Sequence, residues 1–315
     1  MKIRPETTKD YSEITALHYE AFIAWQEKHY KAEAMMPAIL RQNPLYDSML
    51  APVAEEDGKI VGHAFYSPFQ ASLMGDAAKC AFLAPIGVDI HAQKSGVGKA
   101  LLLHAHEILK EKEFDFGILC GHPSYYPKFG YETGMFAQGG TMVSPTVKNE
   151  ISPLEEAPIR AADLQEVKAL WKKAHEKDIL QVYPGDTLSC WISYYPTVYS
   201  SMLKENGVNV AYVRYKDAGD KIIINELLLT EAAEKEAVLA HFAAKGKEIV
   251  LPMWAIKAKR WLPASWQVKE ESVDAAEAFM IMPLSDMARE YVFQIKSGAR
   301  RAPIVAFPSF MEIDA

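Results

Sequence analysis

The segment that most constrains the fold is LAPIGVDIHAQKSGVGKALLLHAHEIL, residues 83–109. An apolar run typical of a buried strand leads into a turn that we call the glycine turn, Gln93–Gly98. After this turn, apolar residues recur at helical spacing: Val97, Leu101, Ala105 and Ile108. A strand that is apolar on both faces belongs in the middle of a sheet covered by helices. The segment therefore predicts a mixed α/β fold.

The glycine turn has two interpretations. Gly96 and Gly98 either only turn the chain, or they let backbone N–H groups approach a negatively charged ligand. The start of a helix carries unpaired N–H donors and the positive end of the helix dipole, so it attracts phosphate. The spacing fits neither a Walker A loop nor a Rossmann fingerprint, which need further glycines or a lysine at other positions. Spacing alone leaves both interpretations open.

Other segments of the first half supply further elements. We predict a strand at 1–5, a helix at 7–22, a second helix over Trp25–Arg41, a hairpin around Asp57-Gly58 and a strand at 114–120. The second half echoes this order, because IRAADLQEVKAL from Ile159 repeats the spacing of the first helix. We therefore predict a diverged internal duplication. Its two domains would span residues 1–150 and 157–315, joined by the proline-bearing linker 143–158.

Two motifs resemble signatures of the GNAT superfamily of N-acetyltransferases. Gln93–Gly98 is similar to that superfamily's Q/R-x-x-G-x-G/A motif, and SYYPKFGYE, residues 124–132, is similar to its later Y-x-x-x-G-F/Y element. The resemblance covers residues 1–150 and implies a mixed central sheet flanked by helices. The whole chain further resembles tandem acetyltransferases of the enhanced-intracellular-survival type, without their sterol-carrier-like domain. In those proteins a degenerate second GNAT domain follows the active one.

The resemblance implies acetyl-coenzyme A (acetyl-CoA) as the donor. Its pyrophosphate would lie on the backbone N–H groups of Lys94, Ser95, Gly96, Val97, Gly98 and Lys99. Its pantetheine arm would pair with the strand at Ile86, Gly87 and Val88. By the same resemblance, Gly121 and His122 would line the arm from the other side.

Acetyl transfer to an amine needs an oxyanion donor, a proton donor for the thiolate and a base for the amine. By resemblance, the N–H of Val88 is the oxyanion donor and Tyr126 is the acid, although Tyr126 fits a packing role as well. The base is not visible in the sequence. The candidates are His63, Asp89, His122, the carboxylate of Ala315 and a water chain. His18 and His29 are interpreted as isolated residues.

The predicted activity is an acetyl-CoA-dependent N-acetyltransferase acting on a primary amine of a small molecule or protein. The alternatives are a non-catalytic acyl-CoA sensor and an interaction scaffold. The net charge of −7 argues against a nucleic-acid partner. We also expect a cytoplasmic protein, because no apolar stretch reaches membrane-spanning length and the three cysteines lack disulfide spacing. We expect no metal site, since His104 and His106 face different directions on a helix, and a homo-oligomer is compatible with the sequence.

Overall fold

The computed structural model describes residues 1–23, 31–146 and 154–311. The first half of the chain contains β1 (Lys2–Pro5), α1 (Tyr11–Ile23), α2 (Ala32–Leu40), β2 (Pro52–Glu56), β3 (Lys59–Leu73), β4 (Asp76–Val88), α3 (Val97–Glu111), β5 (Phe116–Cys120) and β6 (Ala137–Pro145). The second half contains β7 (Glu155–Pro158), α4 (Leu164–His175), β8 (Leu180–Val182), β9 (Val198–Glu205), β10 (Val208–Asp217), β11 (Lys221–Leu229), α5 (Lys235–Ala243), β12 (Glu248–Leu251), α6 (Ala255–Trp261), β13 (Trp266–Ala275), β14 (Phe279–Pro283) and α7 (Asp286–Lys296).

The chain divides into two compact units. The first unit comprises Met1–Met135 with Glu277–Arg301, and the second comprises Phe136–Ala276 with the chain from Ala302 onwards. The predicted mixed α/β fold is confirmed in both units, because each contains a mixed sheet with helices. The hairpin is confirmed as well, since β2 and β3 pair around Asp57 and Gly58, both of which have positive φ.

The sheet of the first unit runs in the order β1-β2-β3-β4-β5-β14. Along this order β4 and β5 are a parallel pair, and α3 connects them as a crossover helix. Ile14 and Leu17 of α1 pack with Val53, whereas Leu101 of α3 packs with Ala54. Since successive residues of a strand face opposite sides, α1 and α3 cover opposite faces of this sheet.

The second sheet repeats the same plan. Its order is β7-β9-β10-β11-β12-β6-β13, and its one parallel pair, β11 with β12, is connected by α5. The positions of α1, α3, β4 and β5 in the first unit are thus taken by α4, α5, β11 and β12 in the second. This repeated order is what an internal duplication predicts.

The compact units differ from the expected domain boundaries because β6 and β14 each pair within the sheet built mainly from the other half of the sequence. β6 follows the first half in sequence but pairs with β12 and β13, and β14 follows the second half but pairs with β5. The predicted linker therefore begins inside β6 and ends in β7, and its residues 147–153 lie outside the described ranges. The predicted helix over Trp25–Arg41 is described only from 31 onwards, where α2 begins at Ala32.

Gly62 of β3 sets how closely α3 approaches the sheet. A Cβ at this position would lie 2.6 Å from Cγ1 of Val97 and 2.9 Å from Cδ1 of Leu101, distances too short for real carbon atoms. Val97 is the first residue of α3. The missing side chain of Gly62 therefore positions the helix start that follows the glycine turn.

The second unit contains a cavity of about 450 Å³ beside the parallel strands β11 and β12. Apolar and charged side chains share its wall, among them Leu170, His175, Asp178, Glu226, Met253 and Trp261. His175 Nδ1 lies 2.7 Å from Oδ2 of Asp178, and its Nε2 lies 3.1 Å from Oε1 of Glu226. Because carboxylates only accept hydrogen bonds, both ring nitrogens donate and the imidazole carries a positive charge.

We expect Gly62→Ala to destabilise the first unit by about 1–3 kcal/mol, because the added methyl group overpacks the contact between β3 and α3. Urea unfolding of the variant and the wild-type protein measures this difference. Gly117→Ala is a matched control on β5, where the new Cβ would meet nothing closer than 3.3 Å. Equal stability of the Gly62→Ala variant and the wild type would contradict the packing role.

The charge of His175 makes stability depend on pH. Burial lowers the pKa of His175, but the negative charge of Glu226 and the hydrogen bonds to Asp178 and Glu226 raise it to about 9 overall. Because the pKa is higher in the folded than in the unfolded protein, protonated His175 stabilises the folded state. This stabilisation is complete below the unfolded-state pKa near 6.5 and is lost as the pH rises through 9. We expect about 2–3 kcal/mol of stability to be lost over this window. Urea unfolding from pH 6 to 9.5 checks this, and a His175→Gln variant with the same pH slope would contradict it.

Candidate functional site

The parallel strands β4 and β5 separate before β4 ends. Their pairing joins Cys80–Leu83 with Phe116–Leu119 and stops there. β4 continues to Val88 while remaining paired with β3 on its other edge, where Ile86, Gly87 and Val88 lie opposite Ala64, His63 and Gly62. The last residues of β4 therefore leave one edge of the strand open, on the side from which β5 has departed.

Val88 presents its backbone polar groups to this open edge. The N–H of the next residue, Asp89, donates to the carbonyl of Val61 in β3 at 3.0 Å. Successive residues of a strand direct their N–H groups to opposite edges, so the N–H of Val88 points away from β3. The Val88 carbonyl lies on the same side and accepts a hydrogen bond from Nε2 of Gln93 at 3.3 Å.

The glycine turn leads directly from this strand end into α3. Gly96 caps the helix with φ of 97°, a left-handed conformation that favours glycine. The helix's first hydrogen bond runs from the N–H of Ala100 to the carbonyl of Gly96. The N–H groups of Val97, Gly98 and Lys99 therefore lack an intrahelical acceptor, and Gly96 has no side chain to cap them.

The predicted cofactor residues differ in exposure. Val97 and Gly87 are buried, Ile86, Val88, Gly98 and Gly121 are half-buried, and Lys94, Ser95, Gly96, Lys99 and His122 are exposed. Exposed backbone between two lysines, at the positive end of a helix dipole, suits an anionic group. The structure thus places the end of β4 directly beside the glycine turn.

Tyr125 reaches the glycine turn. A Cβ on Gly98 would lie 3.4 Å from the hydroxyl of Tyr125 and 3.6 Å from Cγ2 of Val88. The Tyr125 ring packs against Tyr126 and Phe129, with centroid distances of 5.1 and 5.0 Å. The sequence assigned Tyr125 no role, whereas in the structure its hydroxyl lies over the turn.

Tyr126 packs on the backbone at the end of β5. A Cβ on Gly121 would lie 3.0 Å from Cδ2 of Tyr126, so only glycine leaves room for this ring. Burial raises the pKa of the Tyr126 hydroxyl well above its ordinary value. The group therefore stays protonated at neutral pH, which suits a hydrogen-bond donor better than an acid that releases its proton. Tyr126 and Gly121, both named as site residues from the sequence, thus lie in contact.

The base candidates lie in different surroundings. His63 is completely buried, whereas the carboxylate of Asp89 accepts a hydrogen bond from the N–H of His91 at 2.8 Å within a local turn. The His122 side chain is exposed. Ala315 lies outside the described residues, and so does His29.

The interpretation of His18 as an isolated residue is wrong. His18 lies on α1, completely buried, and its Nε2 is 2.8 Å from Nδ1 of His63. His63 Nε2 is in turn 3.2 Å from Oε2 of the buried Glu6. The two histidines are 45 residues apart in sequence, so no local motif could have joined them. The one indication in the sequence was the position of His18 on the apolar face of the predicted first helix.

Other kinds of site have less support in the described ranges. Within residues 1–23, 31–146 and 154–311, no group of three or more His, Cys, Asp or Glu side chains is arranged to hold a metal ion. Over the same ranges, no helix has the length and hydropathy needed to cross a membrane. Cys80, Cys120 and Cys190 are free thiols.

The first unit matches a known family. Residues 2–134 match the family described as acetyltransferase (GNAT) domain. The chain is also 30% identical over 125 residues to the uncharacterized N-acetyltransferase YjhQ of Escherichia coli (strain K12). That alignment covers 39% of this chain and 65% of the relative, so the chain spans less than two thirds of the relative's length.

The fold of nearly the whole chain is shared with solved structures. A GCN5-related N-acetyltransferase from Anabaena variabilis matches with a TM-score of 0.62 and 15% identity, over 90% of this chain and 73% of that one. Eis1 from Mycobacterium abscessus matches with a TM-score of 0.57 and 14% identity, over 90% and 73% of the two chains. At this identity the likeness concerns the fold alone. The family match, by contrast, identifies residues 2–134 as a GNAT acetyltransferase domain.

Proposed function

We propose that the chain is an acetyl-CoA-dependent N-acetyltransferase, in which a primary amine attacks the thioester directly. The observation that carries the proposal is the meeting of two features at one place. The open edge of β4 ends at Val88, and the unpaired N–H groups at the start of α3 follow within one turn. An amide-rich arm suits the first feature and a diphosphate suits the second.

The described residues fit this co-substrate. The pantetheine arm would pair with the open edge at Ile86 and Val88, in the place that β5 vacates. The pyrophosphate would accept hydrogen bonds from the N–H groups of Val97, Gly98 and Lys99. The positive charges of Lys94 and Lys99 would favour the same anion, since both side chains are exposed beside the turn.

Two groups would act on the thioester. The N–H of Val88 points to the open edge and would donate to the oxyanion that forms when the amine attacks. Tyr126 would hydrogen-bond the sulfur through its protonated hydroxyl and stabilise the departing thiolate. The acceptor would be a small amine or a protein lysine.

The alternative is a protein that binds acyl-CoA without turnover. An enzyme and a non-catalytic binding protein would both require the glycine turn, so cofactor binding alone does not distinguish the two functions. Release of the coenzyme A thiol in the presence of an amine separates them, because only an enzyme consumes the thioester. A suitable panel contains a polyamine, an aminoglycoside and a lysine-containing peptide.

We expect coenzyme A to raise the melting temperature of the wild-type protein but not that of a Gly96→Ala variant. Gly96 has φ of 97°, so a side chain there strains the turn and crowds the diphosphate. Gly75→Ala is a matched control, because Gly75 has φ of 99° and equally open surroundings at the far end of β4. Each substitution should cost about 1–2 kcal/mol of stability. Equal stabilisation of both variants by coenzyme A would contradict the proposed phosphate site.

We expect Tyr126→Phe to lower kcat by about 10- to 100-fold, since a hydrogen bond to a charged group contributes about 1.5–3 kcal/mol. The KM for acetyl-CoA should change little. Tyr125→Phe should raise the KM for acetyl-CoA and leave kcat unchanged. The Tyr125 hydroxyl lies over Gly98, where the pyrophosphate would bind, and not beside the thioester. Thiol release at varied acetyl-CoA concentration measures both parameters. An unchanged kcat in a folded Tyr126→Phe protein would leave that tyrosine only a packing role.

A further inference from the structure

Three polar side chains of the first unit form a buried chain that we call the histidine relay: Glu6, His63 and His18. His63 lies between the other two, with Nε2 at 3.2 Å from Glu6 Oε2 and Nδ1 at 2.8 Å from His18 Nε2. Both histidines have no exposed surface, and Glu6 is 2% exposed. Such a chain in a hydrophobic surrounding is costly unless each member is satisfied.

The carboxylate end of the relay is firmly fixed. Arg41 donates to Glu6 through Nε at 2.8 Å and Nη2 at 2.6 Å, and the hydroxyl of Tyr46 donates at 2.7 Å. Burial alone would raise the pKa of Glu6, but the hydrogen bonds of Arg41 and Tyr46 and the adjacent His63 lower it to about 2. Glu6 therefore carries its negative charge at all ordinary pH values.

The fixed carboxylate determines where the protons of the two imidazoles lie. Burial lowers the pKa of both histidines, so each ring is neutral at pH 7 and carries one proton. The Nε2 of His63 faces an ionised carboxylate and therefore holds the proton. Its Nδ1 must then accept, so Nε2 of His18 is the donor. By elimination, Nδ1 of His18 carries a bare lone pair.

This lone pair faces the end of β4. A Cβ on Gly87 would lie 2.6 Å from Nδ1 of His18, so the nitrogen occupies the space that any side chain at this position would fill. Gly87 lies directly opposite His63 in the sheet and directly precedes Val88. No donor within the described ranges satisfies this nitrogen, although it is buried. A buried acceptor without a partner is energetically unfavourable, and a donor that reached it would remove this penalty.

We propose that Nδ1 of His18 is the base that accepts a proton from the acceptor amine, and that His63 and Glu6 position it. This inference rests on the proposed acetyltransferase function. The ammonium group of the acceptor gives one proton to Nδ1, and the freed lone pair forms the C–N bond to the carbonyl carbon. The C–S bond breaks, and the thiolate takes the second proton lost by the nitrogen. The positive charge that appears on His18 is stabilised by Glu6 through His63.

The surroundings of the relay contain charges of both signs. Arg41 disfavours a proton on either histidine, whereas Glu6 and Asp10 favour one on His63. The guanidinium of Arg41 stacks on the Tyr11 ring at 3.7 Å, and Phe65 and Phe22 pack against His63 and His18. The relay is thus an ionised carboxylate and two neutral rings held between aromatic side chains and the Arg41 guanidinium, an arrangement that holds a base in one orientation.

His18→Gln tests the proposal with the fold preserved, because the amide nitrogen of glutamine can still donate to His63. We expect kcat/KM for the amine to fall by about 10²- to 10⁴-fold at pH 7. The loss should shrink as the pH approaches the pKa of the amine, about 10.4 for a lysine-like group, because free amine needs no base. Thiol release from pH 6 to 10 measures both profiles. Parallel profiles with a loss of only a few-fold would overturn the proposal.

Two controls separate this outcome from other failures. His106→Gln removes another buried histidine of the first unit. Its Nε2 also lacks a hydrogen-bond partner in the described ranges, but its ring packs against Tyr66 and Tyr131, away from the relay. Its pH profile should stay parallel to that of the wild type. Coenzyme A should still raise the melting temperature of His18→Gln, because the glycine turn is unchanged. A wild-type protein that binds coenzyme A but acetylates no amine would refute the proposed activity itself, and the assignment of His18 with it.

Discussion

The separation of β4 from β5 is the constraint on which the rest of the first unit depends. The two strands pair over four residues and then part, so β4 keeps its contact with β3 and exposes its other edge. Every feature of the site is built around this opening. The glycine turn starts where the strand ends, the two tyrosines follow the departing β5, and the histidine relay lies beneath Gly87. Without the separation, the N–H of Val88 would be used within the sheet.

The same separation occurs in the second unit without the same chemistry. β11 and β12 pair only from Lys221 to Ile223 and from Glu248 to Val250. The connection to α5, residues 230–234, contains no glycine, so the backbone there lacks the freedom that Gly96 and Gly98 provide. Instead, a charged His175 between two carboxylates lines a cavity beside these strands. The second sheet therefore shares the architecture of the first but differs in the residues that would hold a phosphate.

Much of this could be predicted from sequence because it depends on local patterns. Hydrophobic periodicity and the Asp57-Gly58 turn predicted the hairpin, and the glycine turn predicted the start of α3 at Val97. The exchange of β6 and β14 between the sheets could not be predicted, since a strand's sequence does not specify which edge it joins. The histidine relay was missed for a similar reason, because its members come from β3, α1 and the residue after β1. The position of Tyr125 over Gly98 could not be predicted either, because it depends on the three-dimensional path of the loop after β5.

The central claim is that one of two similar sheet openings holds the acyl donor. Calorimetric titration of coenzyme A into the full chain tests this claim most directly, because it counts sites without requiring knowledge of the acceptor. We expect one site per chain, since of the two units the first combines an open strand edge with the glycine turn. Two equivalent sites, or none, would contradict it.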